Sequence, residues 1–138
     1  LDSINDPGNL GTIIRTCDWF NVRNLICSKD TVDVYNNKTI QSTMGSIFRV
    51  NVYYFELTEF FVSINNKPQT YAATLDGVNL KNVKNKNDNF LIIGSESHGI
   101  SNDLMKFVDE KVKIENVSAS GESLNAAIAT GIILYQLS

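Results

Sequence analysis

Three stretches of this sequence place amide, carboxylate, guanidinium and hydroxyl side chains beside glycine turns or at helix starts, where a fold leaves backbone groups free to meet a ligand. The first is NDPGNLGTIIRTCDWF, Asn5 to Phe20, in which Asn9 opens a helix and Arg15 sits near its middle. Taken alone, this segment reads most simply as a capped helix with a solvated arginine. The second is FLIIGSESHGIS, Phe90 to Ser101, where an apolar strand delivers Gly94, Ser95, Glu96, Ser97, His98 and Gly99 into a turn. Its glycines permit close backbone approach to a ligand and Glu96 can be held in a cleft, while an ordinary turn with an exposed Glu96 is the plainer alternative. His98 reads as a loop residue hydrogen-bonded locally. The third is SASGESLNAAIATGIILYQL, Ser118 to Leu137, a small-residue loop running into a helix whose first turn holds Ser123 and Asn125. That polar pair needs partners, and the helix behind it is apolar nearly all round, which requires burial on several sides.

The chain that must position these residues is 138 residues long, the size of one domain. Its 43% hydrophobic and 20% charged residues are those of a globular protein, and every apolar run is too short to span a bilayer. One histidine and two separated cysteines, Cys17 and Cys27, give no metal-ligand spacing, so no metal is expected. No secretory leader is legible, and the expected location is the cytoplasm. A net charge of −3 provides no basic face for nucleic acid. The abrupt opening on Leu1 and the helical pattern still running at Ser138 suggest a fragment of a longer protein.

Apolar spacing predicts a helix from about Asn9 to Phe20, with Asn21 taking a left-handed conformation at its end. A strand over Asn24 to Cys27, a short helix over Lys38 to Thr43, a β-run over Arg49 to Phe55 and a helix over Leu57 to Asn65 follow. Gln69 to Thr74 reads as strand, Lys81 to Asn89 as polar loop, and Phe90 to Ile93 as a strand buried on both faces. Ser101 caps a helix from Asn102 to Phe107, Lys111 to Ile114 forms a strand, and Ser123 to Leu137 a final helix. This alternation predicts an α/β fold with a mostly parallel sheet flanked by helices and ligands at the carboxyl ends of its strands. No GxGxxG opens a helix after the first strand, which argues against a generic Rossmann-type nucleotide binder.

DPGNLGTIIRT, IIGSESHGIS and ESLNAAIATGIILY, in that order, resemble the three motifs of the SpoU/TrmH family of RNA 2′-O-ribose methyltransferases, within the SPOUT group. STMGSIFRVNV, Ser42 to Val52, is similar to a further family segment, so the resemblance covers nearly the whole chain. It implies that residues 1 to 138 form the catalytic domain, threaded at its carboxyl end as a trefoil knot, in a homodimer with the active site near the subunit interface. It implies S-adenosylmethionine as methyl donor and ribosomal or transfer RNA as substrate. Matched position by position, the catalytic set is Asn9, Arg15, Glu96, Ser123 and Asn125. The cofactor set is Thr74, Leu75, Gly94, Ile114, Ser123 and Leu124, acting largely through backbone groups. Ile114 to Ser120 departs from the family pattern, lacking its usual proline and glycine, and Asn21 replaces a common glycine.

The family's arginine, here Arg15, is the proposed activator of the 2′-hydroxyl. A guanidinium is a poor base, and an easier role is to bind the adjacent phosphate and stabilise the developing alkoxide, with Glu96 and Asn9 holding it in place. An inactive RNA-binding paralogue is the alternative, against which the joint presence of Arg15, Glu96, Ser123 and Asn125 speaks.

Overall fold

The computed structural model describes residues 1–84, 88–118 and 123–138. Helix α1 (Pro7–Trp19) begins two residues earlier than its apolar spacing predicts, because Asp6 caps it by accepting from the Asn9 amide and Pro7 occupies the first turn. It ends in a Schellman arrangement: Asn21 has φ 59°, its amide reaches Asp18 O, and the Val22 amide reaches Cys17 O at 2.8 Å. Leu10, Ile13 and Ile14 are fully buried, each such side chain stabilising the fold by roughly 1.5–3 kcal/mol.

After α1 come β1 (Asn24–Ser28), α2 (Asn37–Thr43), β2 (Asn51–Phe55) and α3 (Leu57–Ser63). Then follow β3 (Gln69–Asn79), β4 (Asn89–Ile92), α4 (Asn102–Met105), β5 (Glu110–Lys113) and α5 (Ala126–Leu137). A 3-10 turn covers Leu80–Asn82, where a loop was expected; of that polar stretch, residues 85–87 lie outside the described residues. Phe90 and Leu91 of β4 are only partly buried, short of the burial on both faces that their apolar run predicts. α4 is a four-residue helix whose Ser101 makes no side-chain cap, shorter than predicted.

All strand pairings are parallel: β1 with β2, and β3 with both β4 and β5. The segment at Leu1 to Asp2 joins the two sheets, since Leu1 N donates to Ile26 O, Ser28 N to Leu1 O, and Asp2 N to Ile93 O. The predicted α/β layer fold with parallel sheet is thus present. One face of the sheet packs on α1 and α5 through Leu10, Ile13, Tyr71, Val112, Ala127 and Ile133. The other face carries Leu57, Phe61, Ile92 and Leu104 from α3, β4 and α4, with Phe61 stacked on Phe107 at 5.3 Å. Among the described residues, no helix is long and apolar enough to cross a membrane and no His, Cys, Asp and Glu cluster could hold a metal.

Candidate active site

At the carboxyl ends of the strands, three side chains from the three sequence segments close on one another. Glu96 Oε1 accepts from Asn9 Nδ2 at 3.0 Å, Asn125 Nδ2 at 2.7 Å and the Ala126 backbone amide at 3.0 Å. Asn125 Nδ2 also donates to Asn9 Oδ1 at 2.9 Å. The orientation of Asn125 is forced, because its carbonyl oxygen is taken by the amides of Ala127 and Ile128 as it caps α5. Only its NH₂ remains to face the carboxylate, which explains asparagine here where aspartate would cap equally well. Glu96 also sits at the amino end of α5, where a negative charge is favoured. Its second oxygen, Oε2, has no hydrogen-bond partner among the described residues.

This network borders a cleft of about 230 Å³ lined by Ile4, Asn5, Asp6, Asn9, Ser95, Glu96, Ser97 and Ala126. Two carboxylates, Asp6 and Glu96, line the cleft, so it suits hydroxyl donors such as a sugar, and it is smaller than the ~300–1,000 Å³ typical of whole-ligand pockets. Asp6 lines it while capping α1, and the Asn9 amide first, then Lys38 at 3.5 Å, hold its carboxyl below the ordinary carboxylate range. The DPGN stretch reads as a turn, so the cap and the wall formed by Asp6 escape the spacing argument although Asp-Pro before a helix is a start signal. His98 behaves as expected, its Nδ1 meeting Ser97 Oγ at 2.8 Å.

Arg15 is not gathered into this network. It is exposed, and among the described residues it makes no hydrogen bond or ion pair, so Glu96 and Asn9 do not hold its guanidinium. Helix geometry gives the reason: six residues beyond Asn9 is about 9 Å along the axis and about 120° around it. Ser123 is also outside, exposed and unbonded among the described residues, because α5 starts at Ala126 and not at Ser123 as predicted. Residues 119–122, which include the last two positions of the Ile114 to Ser120 stretch where the family pattern changes, lie outside the described residues.

Of the positions expected to meet the cofactor, Gly94 and Ile114 lie just beyond β4 and β5, Thr74 and Leu75 at a break in the middle of β3, and Ser123 and Leu124 before α5. Thr74 and Gly94 each lie two residues beyond the Ala72↔Ile92 pair, and Ile114 two beyond Val112, the partner of Ala73. Thr74 to Gly77 leave the ladder, since Ala73 and Val78 both pair with Val112. Gly77 allows this excursion, because a Cβ there would meet the Lys111 carbonyl at 2.5 Å. Thr74 Oγ1 is buried with no directed hydrogen bond, although its proximity adds to the effect of Lys111 in lowering Asp76. Leu75 is 74% exposed and Leu124 46% exposed, while Ile114 is partly buried with its side chain packed against the core. Gly94 has a different use from the one its sequence suggests: a Cβ there would lie 2.2 Å from Gly99 C, so the space is taken by the chain's own loop.

Known proteins share this fold. The chain is 30% identical, over 99% of its length, to the 23S rRNA (guanosine(2553)-2′-O)-methyltransferase of Bacillus subtilis, of which it covers 56%. An AdoMet-bound rRNA methyltransferase from Sinorhizobium meliloti superposes with a TM-score of 0.92 at 33% identity, over 99% of this chain and 53% of that one. The SpoU methyltransferase AviRb of Streptomyces viridochromogenes, in complex with AdoMet, gives 0.86 at 28% identity, over 99% and 56%. The chain therefore spans little more than half the length of these relatives. The sequence profile of the SpoU rRNA Methylase family matches residues 1–135, and the chain belongs to this family.

Proposed function

We propose that this chain is the catalytic domain of an S-adenosylmethionine-dependent RNA 2′-O-ribose methyltransferase acting on ribosomal or transfer RNA in the cytoplasm. The observation that carries this reading is the closed Asn9, Glu96 and Asn125 network on a carboxylate-lined cleft, assembled from three segments far apart in sequence. The residues present fit the cofactor: Thr74 Oγ1 is a buried hydroxyl lacking a directed partner, level with Gly94 and placed where Thr74 to Gly77 leave the β3 ladder. Thr74, Leu75, Gly94, Ile114, Ser123 and Leu124 would hold it. When bound, S-adenosylmethionine supplies a methyl group on a sulfonium, the electrophile for a ribose oxygen.

The chain's residues then have separable tasks. The ribose hydroxyl must release its proton to solvent as its oxygen takes the methyl group and the neutral thioether departs, so positioning and charge placement dominate. Glu96 Oε2 accepts a hydrogen bond from a sugar hydroxyl in the cleft, and Asn9 and Asn125 fix the carboxylate that does so. Arg15, an exposed guanidinium unclaimed by any described carboxylate, binds the neighbouring phosphate and stabilises the developing alkoxide. The joint retention of Arg15 and the complete network favours this over an inactive paralogue. A homodimer belongs to the same reading, since Trp19 is 84%, Ile128 56% and Tyr135 74% exposed on adjoining faces of α1 and α5. So does the carboxyl-terminal trefoil knot that the resemblance to the family implies.

Mapping ribose methylation in total RNA from cells with and without the gene tests the activity: one lost 2′-O-methyl mark is expected, and an unchanged map refutes it. Single-turnover transfer to that RNA from pH 7 to 10 tests Arg15. Arg15→Lys should keep a measurable part of the rate and Arg15→Ala lose far more; a lysine variant that equals or exceeds the natural rate near its own titration range points to proton acceptance instead.

A further inference from the structure

Asp2 has no place in the chemistry above, yet it is a carboxylate only 6% exposed, and such a group needs a reason. Its backbone and its side chain grip opposite ends of one loop. Asp2 N donates to Ile93 O at 2.9 Å, and Asp2 pairs in parallel with Gly94, where the loop leaves β4. Asp2 Oδ2 accepts from the Ser101 amide at 2.7 Å, where the same loop enters α4. The loop is cinched between these points by Gly99 N donating to Ser95 O at 2.8 Å and by backbone contact between Gly94 and Gly99. Glu96 sits inside it.

The competing partner of Asp2 is weak. Ser3 Oγ lies 3.2 Å from Asp2 Oδ1 but 2.7 Å from Asp30 Oδ2, and a hydroxyl has one proton, which goes to the nearer carboxylate. The Ser101 amide is therefore the bond that orders the Asp2 carboxylate. A buried carboxylate whose shortest hydrogen bond is to that amide, closing a loop whose only network residue is Glu96, acts through Glu96.

We infer that Asp2 is a positioning residue for the methyl-transfer site, holding both ends of the Gly94–Ser101 loop so that Glu96 Oε1 stays on Asn9, Asn125 and the Ala126 amide. This rests on the assignment of Glu96 to the active site, so the test has one arm that needs no activity. In the full-length protein, Asp2→Ala should raise hydrogen exchange at the Ser101 and Ala126 amides and lower the single-turnover rate by about 10- to 100-fold, the scale of a displacement near 1 Å. Asp2→Asn keeps an oxygen for the Ser101 amide and should stay within a few-fold of the natural rate. Ser101→Pro suits the Ser101 φ of −61° and replaces the donor N–H by a ring carbon facing Asp2 Oδ2, so it breaks the same contact from the loop side and should reproduce the alanine defect even if Asp2→Ala does not fold. Unchanged Ala126 exchange in Ser101→Pro, or an Asp2→Asn variant as defective as alanine, overturns the inference. Altered Ala126 exchange with no effect on methyl transfer instead overturns the assignment of Glu96.

Discussion

Replacing Gly94 by alanine should separate the needs of the fold from those of a ligand. The added methyl would sit 2.2 Å from Gly99 C, 2.3 Å from Gly99 O and 2.5 Å from Ile100 N, against 3.4 Å for an ordinary contact. All three atoms are backbone, so no side chain can swing aside and the loop must open by about 1 Å, taking Glu96 with it. Overpacking of this kind costs about 1–3 kcal/mol, which in a domain of this size lowers Tm by roughly 3–10 °C. A shift near 1 Å in a group that orients substrate costs about 100-fold in rate. Calorimetric unfolding, titration with S-adenosylhomocysteine and single-turnover methyl transfer measure the three consequences. The expected pattern is a lowered Tm and a large rate loss; an alanine variant with natural Tm and rate refutes the collision, and one that loses only cofactor affinity shows that the glycine serves the ligand.

Asn125→Asp keeps a good helix cap but sets a second carboxylate 2.7 Å from Glu96, so the pair should share a proton, and the rate should fall at least about 10-fold at pH 8 and recover toward pH 5. A flat profile removes Glu96 and Asn125 from one network. Ile132→Asp, on the exposed α5 face, should leave the monomer fold intact while shifting sedimentation at micromolar concentration from dimer to monomer and abolishing transfer. A dimer that survives it places the interface elsewhere. Burial pushes the Cys17 thiol up to about 12 and the Cys27 thiol up to about 11, from 9.0. Their protonated forms are favoured by folding, so that contribution is complete below pH 9.0 and declines as pH rises toward 11 and 12. Denaturation midpoints should fall over that window, and Cys17→Ala with Cys27→Ala should flatten the decline.

What could be read from the chain was whatever local periodicity and capping control. The helical spacing of Leu10, Ile13, Ile14 and Cys17, the left-handed Asn21, the strand at Asn24 and the α/β alternation all follow from side chains within one turn or one strand of each other. The membership of Asn9, Glu96 and Asn125 in one site came from motif resemblance; taken singly, each was as consistent with a capped helix or a plain turn. Tertiary structure decided which of the marked residues meet. It joined Asn9 to Asn125 across 116 residues and left Arg15 and Ser123 outside the network, because helix rotation and the true start of α5 are set by caps and packing. It also turned Gly94 from open space for a ligand into a contact with Gly99, and gave Asp2 a partner at Ser101, 99 residues away. Contacts of that kind depend on how the parallel strands are ordered side by side, and strand order is fixed by the packing of the whole sheet between its helices, which no local window of sequence contains.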